Sequence, residues 1–589
     1  MINNLKLLVE KKHFPLIIIL FIGSILAATL EIIGIGSIPI FAMMIMDPTI
    51  IQEKFSDKIN LEFINNLDPN DILIYGGVTL TLIFVLKNIY LALLVYLQGS
   101  LVKKIRSNLG EKVFKLYLNA PFKLHYEKNP ADILRNIMGE TSQAVTVLLQ
   151  SFNLFREILI LLTIFALLVY VDTLVSFSVF FIFTLFVGLF FYVTRKIIGK
   201  NGKILQKYMA LKIQDINEAF GAIKEVKIFN KEKTLETKFN EKIHIWENSY
   251  LTNFFLTSLP RLVLEAIVIL SVVSIVIIFV FIDRDLNTII PLLTLLTVAA
   301  ARMLPSFNTI STALGSIKSL SPSFYLIISE IKYLEKLKFV KKTNSNKELS
   351  FKKDLHFKNI DFRYGKDQKP AISNLNIKIK PGSKVGIIGK SGAGKSTFID
   401  ISLGLLEPTK GEILLDGINI LDDIISWQSQ IGYVPQDVYL LDDTIINNIT
   451  FSSNNNELDT INLNKILVTC NLEDFVKNSE KGLDTFVGDR GARISGGQKQ
   501  RIGIARALYN NPKVIIFDEA TSSLDLENES KIIDEIFAID RSKTLILVTH
   551  RHQVVKNCDV VFLFDNGKII DQGTYNYLDQ KYNFNKFNS

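Results

Sequence analysis

The sequence predicts an all-α six-helix transmembrane domain followed by an α/β domain, and three observations predict it. Apolar runs long enough to cross a bilayer are concentrated in the first half of the 589 residues. From about residue 355 the pattern changes to short apolar strands alternating with helices, as at Val385-Gly386-Ile387-Ile388, which marks a mixed α/β layer. One such strand, 514–517, ends in two adjacent carboxylates, Asp518 and Glu519. The C-terminal end of a strand is where an α/β sheet presents such groups to a ligand.

Bulk properties agree. Hydrophobic residues make up 48% of the chain and mean hydropathy is +0.28, high for a fully soluble protein, and the length exceeds what one core can organise. The net charge of +8 follows from lysine being abundant throughout, and without a groove-reading motif nucleic acid is not expected as a partner. Cys470 and Cys558 lack metal-ligand spacing, and a cytosolic domain needs no disulfide. The first apolar run starts near Pro15 and lacks a cleavage site; it is too long for the core of a signal peptide and is read as a span.

Six spans are placed at 15–45, 72–100, 149–171, 174–198, 252–282 and 288–320, each meeting the requirement of about 20 residues. The turns after the third and fifth are short. Those after the second and fourth are long and basic, with Lys103, Lys104, Arg106, Lys112 and Lys115 in one and Lys196, Lys200, Lys203, Lys207 and Lys212 in the other. The positive-inside rule puts both long connections and both termini in the cytoplasm. Each connection reads as a helical hairpin continuing the spans, broken near Asn119-Ala120-Pro121 and between Asn217 and Lys227. The resulting division is a transmembrane domain at 1–325, a linker at 326–350 that includes the polar run 341–346, and a nucleotide-binding domain at 351–589.

The nucleotide assignment rests on Gly389-Lys390-Ser391-Gly392-Ala393-Gly394-Lys395-Ser396, which fits G-x-x-x-x-G-K-[ST] directly after a strand and before a helix, with Thr397 beside it counted among the nucleotide-binding residues. Glycines let backbone N–H groups close on phosphate oxygens at a helix N-terminus. Lys395 would reach the β- and γ-phosphates of ATP. Ser396 and Asp518 would hold Mg2+, with Glu519 placed to activate water.

With these residues in hand, the second half resembles an ATP-binding cassette (ABC) ATPase domain, its motifs standing in the family's order. Tyr364 looks like the aromatic residue that stacks on adenine. Gln436, in Val434-Pro435-Gln436-Asp437, resembles the Q-loop glutamine that contacts Mg2+ and couples to the membrane domain. Residues 485–491 are similar to the exporter X-loop. Ile494-Ser495-Gly496-Gly497-Gln498 resembles the family signature, with Ile for the usual Leu. Ser523-Leu524-Asp525 matches the D-loop, and His550, after the apolar strand 545–548, matches the switch histidine. In this family Ser495 and Gly497 would serve ATP held by another subunit. The resemblance therefore implies a half-transporter working as a homodimer, with a heterodimer as the alternative.

Six spans, cytosolic hairpins and a C-terminal cassette resemble the exporter class. The extension before the first span is too short for a peptidase domain. Basic residues within the spans bear on cargo, because a charge at mid-bilayer costs about 2.5–3.5 kcal/mol. Lys87, Arg261 and Arg302 fall in the cytoplasmic half of their spans, and Glu31, Glu157 and Glu265 are the acids available to them. Arg261 and Glu265 are four apart and can meet on one helix face. Lys87 and Arg302 have no acid at that spacing, so they find a partner on another helix, face a wet cavity or snorkel. The segments around these three resemble PglK-type flippases of pyrophosphate-linked oligosaccharides, and residues 49–67 sit where such flippases carry an external helix. Lysine at 87 departs from the arginine expected there and loses bidentate phosphate recognition.

These readings favour an ATP-driven exporter or flippase in the inner membrane, with its ATPase domain cytoplasmic, moving an anionic lipid-linked saccharide. A lipid or multidrug exporter is the alternative within the class. An ATP-gated channel or sensor without turnover is the alternative outside it, opposed by the presence of both Glu519 and His550. A soluble ABC ATPase is excluded by the spans.

Overall fold

Helix length is the quantity that the sequence and the bilayer constrain together. At about 1.5 Å per residue, roughly 20 residues cross the hydrocarbon core. The computed structural model describes residues 7–46, 68–171, 173–281, 286–337, 349–365, 369–451, 459–520, 537 and 542–584. Among these, six long helices follow one another: α1 (Phe14–Met46), α2 (Pro69–Leu118), α3 (Thr141–Val171), α4 (Thr173–Gly221), α5 (Glu232–Phe281) and α6 (Leu286–Lys336). α2 and α5 have 50 residues each, about 75 Å by the same rise, so more than half of each extends beyond the hydrocarbon. Among the described residues, four stretches are long and apolar enough to cross a membrane: Lys11–Ile45, Asn70–Leu118, Pro130–Tyr170 and Glu232–Leu270. The other two predicted spans, 174–198 and 288–320, contain side chains outside that description. The predicted external segment 49–67 and the linker run 341–346 also lie outside the described residues.

Local chemistry ends the long helices. α2 stops at Leu118 with Asn119 as its cap, just before Pro121, whose ring and missing N–H bar continuation. Two six-residue helices, Phe122–Glu127 and Pro130–Arg135, and a π-helical turn at Asn136–Glu140 lead into α3. α4 ends at Gly221, and Ala222 leaves helical geometry with φ −110° and ψ 33°.

Within the helical unit the main pairings are α3 with α6, α4 with α5 and α1 with α2. Gly202 shows how close two helices come: a Cβ there would stand 2.1 Å from the Ser319 carbonyl oxygen, so α4 and α6 meet backbone to backbone. Polar side chains bind the helices at the same level. Asn201 Nδ2 donates to Asn253 Oδ1 at 3.1 Å, and Asn253 Nδ2 donates to Ser319 Oγ at 3.0 Å.

The chain divides at Leu337/Lys338 into this helical unit and an α/β unit. The second unit has two sheets. One is antiparallel, in the order β2-β1-β4-β5, from β1 (Leu355–Phe362), β2 (Ile372–Ile379), β4 (Lys410–Leu415) and β5 (Ile418–Asn419). The other runs β10-β9-β3-β8-β7-β6, from β3 (Lys384–Gly389), β6 (Ile431–Val434), β7 (Val514–Asp518), β8 (Thr544–Thr549), β9 (Val560–Asp565) and β10 (Lys568–Gly573). Its strands from β9 to β6 are mutually parallel, and only β10 pairs antiparallel. Every residue of β8 is buried, as expected of a parallel strand covered on both faces, where apolar residues run on without alternation. Apolar clusters pack around Phe357, Phe398, Trp427 and Phe562 in one layer and around Ile502, Ile515 and Leu547 in another.

Candidate active site

Register places the site. Val434 stands opposite Phe517, Asp518 opposite Val548, and Ile388 opposite Thr549. The C-terminal ends of β6, β7, β8 and β3 therefore form one edge, from which Gln436, Asp518-Glu519, His550 and the glycine-rich loop all emerge, as the rule for open α/β sheets requires.

The loop from Gly389 to Gly394 leads into α7 (Lys395–Ser402), whose first turn has no side-chain cap. Its leading N–H groups are left for a ligand, which makes the start of α7 an anion cradle. Gly392 and Gly394 hold φ of +79° and +100°, and a Cβ on Gly394 would stand 2.8 Å from the Ala371 carbonyl oxygen, so only glycine fits that turn. Lys395 curls over the loop, its Nζ donating to the carbonyls of Gly389 at 2.8 Å and Lys390 at 3.1 Å. Burial lowers the ammonium's pKa, and the carboxylates of Glu519 and Asp518 oppose that shift. Ser391 and Ser396 are exposed on the loop and at the helix start, whereas Ala393 and Thr397 are buried.

Glu519 is the hub. It leaves β7 in the left-handed region, with φ 46°, uncommon for a residue with a Cβ and a mark of functional turns. Its N–H donates to the Val548 carbonyl at 2.8 Å. Oε2 accepts from Gln436 Nε2 at 3.2 Å and lies 3.1 Å from His550 Nδ1, while Oε1 stands 3.8 Å from Lys395 Nζ. Three of the predicted residues thus converge on a fourth.

Asp518 points elsewhere. Its Oδ2 accepts from the Tyr433 hydroxyl at 3.3 Å, and burial pushes its pKa up. Asp400, five residues beyond Lys395 on α7, is pushed up to about 6 by burial and by the neighbouring charge of Asp518. Two half-buried carboxylates on adjoining elements suit a hard divalent cation. Among the described residues no group of three His, Cys, Asp or Glu could hold a metal. Mg2+ takes only one or two protein oxygens together with nucleotide phosphates, and these carboxylates are of the kind that would supply them. Tyr433 and Asp400 were not singled out from sequence. Asp400 was findable, since it lies four residues after Ser396 and so on the same face of α7.

Tyr364 is half-buried, its hydroxyl 3.1 Å from Thr397 Oγ1 and its ring edge-on to Phe362. The signature opens α8 (Gly496–Tyr509) with a capping box. Gln498 N donates to Ser495 Oγ at 3.3 Å, and Ser495 N donates to Gln498 Oε1 at 2.9 Å. Gly497 occupies the first turn of that helix. Asp525 lies outside the described residues.

In the helical unit, Lys87 and Arg302 find their partner on another helix, and it is the same one. Glu31, on α1, has Lys87 Nζ 3.5 Å from Oε2, while Oε1 accepts from Arg302 Nε. Arg261 does not join them: it is exposed on α5, and among the described residues no ion pair links it to Glu265. Glu157 is met by Arg156 at 3.1 Å and by the Ser306 hydroxyl at 2.7 Å.

A phosphate cradle, a carboxylate hub and a second domain of membrane-length helices together define a nucleotide-dependent membrane protein. The profile of the ABC transporter family matches residues 372–522, and that of the ABC transporter transmembrane region matches residues 16–303. An ATP-dependent lipid A-core flippase of Wigglesworthia glossinidia brevipalpis is 30% identical over 498 residues, covering 82% of both chains. The leukotoxin translocation ATP-binding protein LktB of Pasteurella haemolytica-like sp. (strain 5943B) is 41% identical over 230 residues, 38% of this chain and 32% of that one. The match thus spans about a third of the toxin-translocation relatives. A bacterial Atm1-family ABC exporter solved with ATP bound shares the fold, with a TM-score of 0.77 over 96% of this chain and 97% of its own, at 21% identity. The chain belongs to the ABC transporter family.

Proposed function

We propose that this chain is an exporter-type half-transporter that hydrolyses ATP to move an anionic, saccharide-bearing lipid from the inner to the outer leaflet of the cell inner membrane. Six spans and a cytoplasmic ATPase domain make one half, and a second copy supplies the other; a different partner chain would serve the same geometry. Lys395 holds the phosphates with the N–H groups of residues 389–397, Tyr364 takes the adenine, and Ser396, Gln436 and Asp518 would hold Mg2+, which would supply positive charge to offset that of the phosphates. Glu519 takes the proton of the attacking water, and His550 contacts the γ-phosphate. A positioned base contributes about 10²–10⁴-fold to such a step. Ser495, Gly497, Gln498 and Asp525 serve nucleotide across the dimer.

The observation that carries the cargo reading is the meeting of Lys87 and Arg302 at one buried carboxylate. Two cations against one anion leave a positive cluster in the membrane half, which suits a phosphate-bearing head group and has no use in moving a neutral lipid. Arg261 is assigned to the same cargo from its span position. The lipid A-core flippase among the relatives agrees with a lipid cargo. Neutralising Lys87, Arg261 and Arg302 together is expected to abolish ATPase stimulation by a pyrophosphate-linked lipid. Equal stimulation of the variant and the unaltered protein would return the assignment to a general lipid or multidrug exporter.

A further inference from the structure

The helical unit spends its cations unevenly. Lys87 is 7% exposed, and its ammonium carries three donors, yet among the described residues it forms no hydrogen bond. Its neighbours are Glu31 Oε2 at 3.5 Å and the Phe84 ring, whose centroid is 4.4 Å away. Arg302 uses Nε on Glu31 and shows no further partner among the described residues, although a guanidinium carries five N–H donors. Its side chain is 27% exposed, against 1% for Glu31, so the open side of the cluster is the arginine's. Glu31 Oε2 is buried without a hydrogen bond. Gly34, three residues along α1, leaves room for the ammonium, since a Cβ there would stand 3.4 Å from Lys87 Nζ. The nearby Glu157 is already held by Arg156 and Ser306, so Glu31 alone claims these two cations.

A tethered carboxylate competes with any incoming anion at the high effective concentration of an intramolecular group. A monoanionic or zwitterionic head group gains nothing by replacing it. An oxyanion of two or more negative charges gains charge contact with both cations and takes up the idle donors. We infer that Glu31 is an internal counter-ion standing where the cargo's anionic group binds, a specificity-determining residue that admits phosphate or pyrophosphate esters and turns away monoanions. This rests on the anionic-lipid reading above.

The test uses the full-length protein in phosphatidylcholine nanodiscs, with farnesyl pyrophosphate and oleate as probes of binding and of ATPase stimulation. The unaltered protein is expected to respond to farnesyl pyrophosphate and not to oleate. Glu31→Gln is expected to lower the half-saturating pyrophosphate concentration about tenfold and to admit oleate. An unchanged or weakened pyrophosphate affinity in Glu31→Gln overturns the inference while leaving the anionic-lipid reading intact. No response of the unaltered protein, with no change on neutralising Lys87 and Arg302, removes both. If Glu31→Gln does not fold, Glu31→Asp keeps the charge but shortens its reach, and a gain in affinity of about threefold is expected; no gain overturns the inference.

Discussion

Two carboxylates in this chain, Glu519 and Glu31, each gather polar and charged partners, and they are assembled in opposite ways. Glu519 receives Lys395, Gln436 and His550 from the ends of neighbouring parallel strands, and its side chain keeps 17% exposure. Glu31 receives Lys87 and Arg302 from two other helices and keeps 1%. A group that is to activate water, the role proposed for Glu519, must stay within its reach, and strand ends at a sheet edge supply that position. A carboxylate sealed among helices costs several kcal/mol to leave unpaired, so only a competitor of higher charge can take its cations. The first arrangement is suited to turnover and the second to being opened by a competing charge.

The largest effect that would sharpen this contrast lies at the sheet edge. Glu519→Gln is expected to reduce ATP hydrolysis by about 10²–10⁴-fold while ATP binding persists, measured by phosphate release beside nucleotide retention. Retained turnover would strip Glu519 of its role. In the helices, Arg302→Met removes the hydrogen bond to Glu31 but keeps the Lys87 ion pair at 3.5 Å, and a loss of about 1.5–3 kcal/mol is expected on thermal unfolding in nanodiscs. The double variant Glu31→Gln/Arg302→Met should lose more, because Lys87 is then buried without an acid beside it; recovery of stability would show that Lys87 does not depend on Glu31.

Gly202→Ala, placing a methyl against the Ser319 carbonyl, is expected to cost about 1–3 kcal/mol in the same assay. A neutral result would show that α4 and α6 separate easily. The smallest effect concerns Asp400. Its folded pKa of about 6 lies above the ordinary 3.8, so the folded state binds the proton more tightly and loses stability as pH rises through that window. Asp400→Asn should therefore stabilise the nucleotide-free protein at pH 7 by on the order of 1 kcal/mol, allowing for solvent screening at a half-buried site, and the gain should vanish near pH 4. A gain of equal size at both pH values would place its cause in packing.

The contrast also explains what could be read in advance. The glycine-rich loop, the acid pair after 514–517, the glutamine after Val434-Pro435 and the histidine after 545–548 are local strings, each fixed by one strand end. Adjacency of β6, β7, β8 and β3 then brings them together, so chemistry and order were enough to find them. Helix breaks were legible for a similar reason: Pro121 acts on its immediate neighbours. Glu31, Lys87 and Arg302 share no local pattern, because their pairing depends on how three helices pack. Composition marked each as out of place in a span, and only the tertiary structure showed that two of the bases share one acid and that Arg261 does not. Tyr433 escaped because its interest comes from facing Asp518 on a neighbouring strand far off in the chain, and Asp400 offered only its spacing from Ser396.

The most direct measurement is transfer of a pyrophosphate-linked saccharide lipid between leaflets of proteoliposomes, followed with the unaltered protein, Glu519→Gln and the Lys87/Arg302-neutralised variant. Transfer that requires ATP hydrolysis and is lost in both variants is the predicted result. Transfer that proceeds without hydrolysis, or that survives loss of the two cations, would contradict the account.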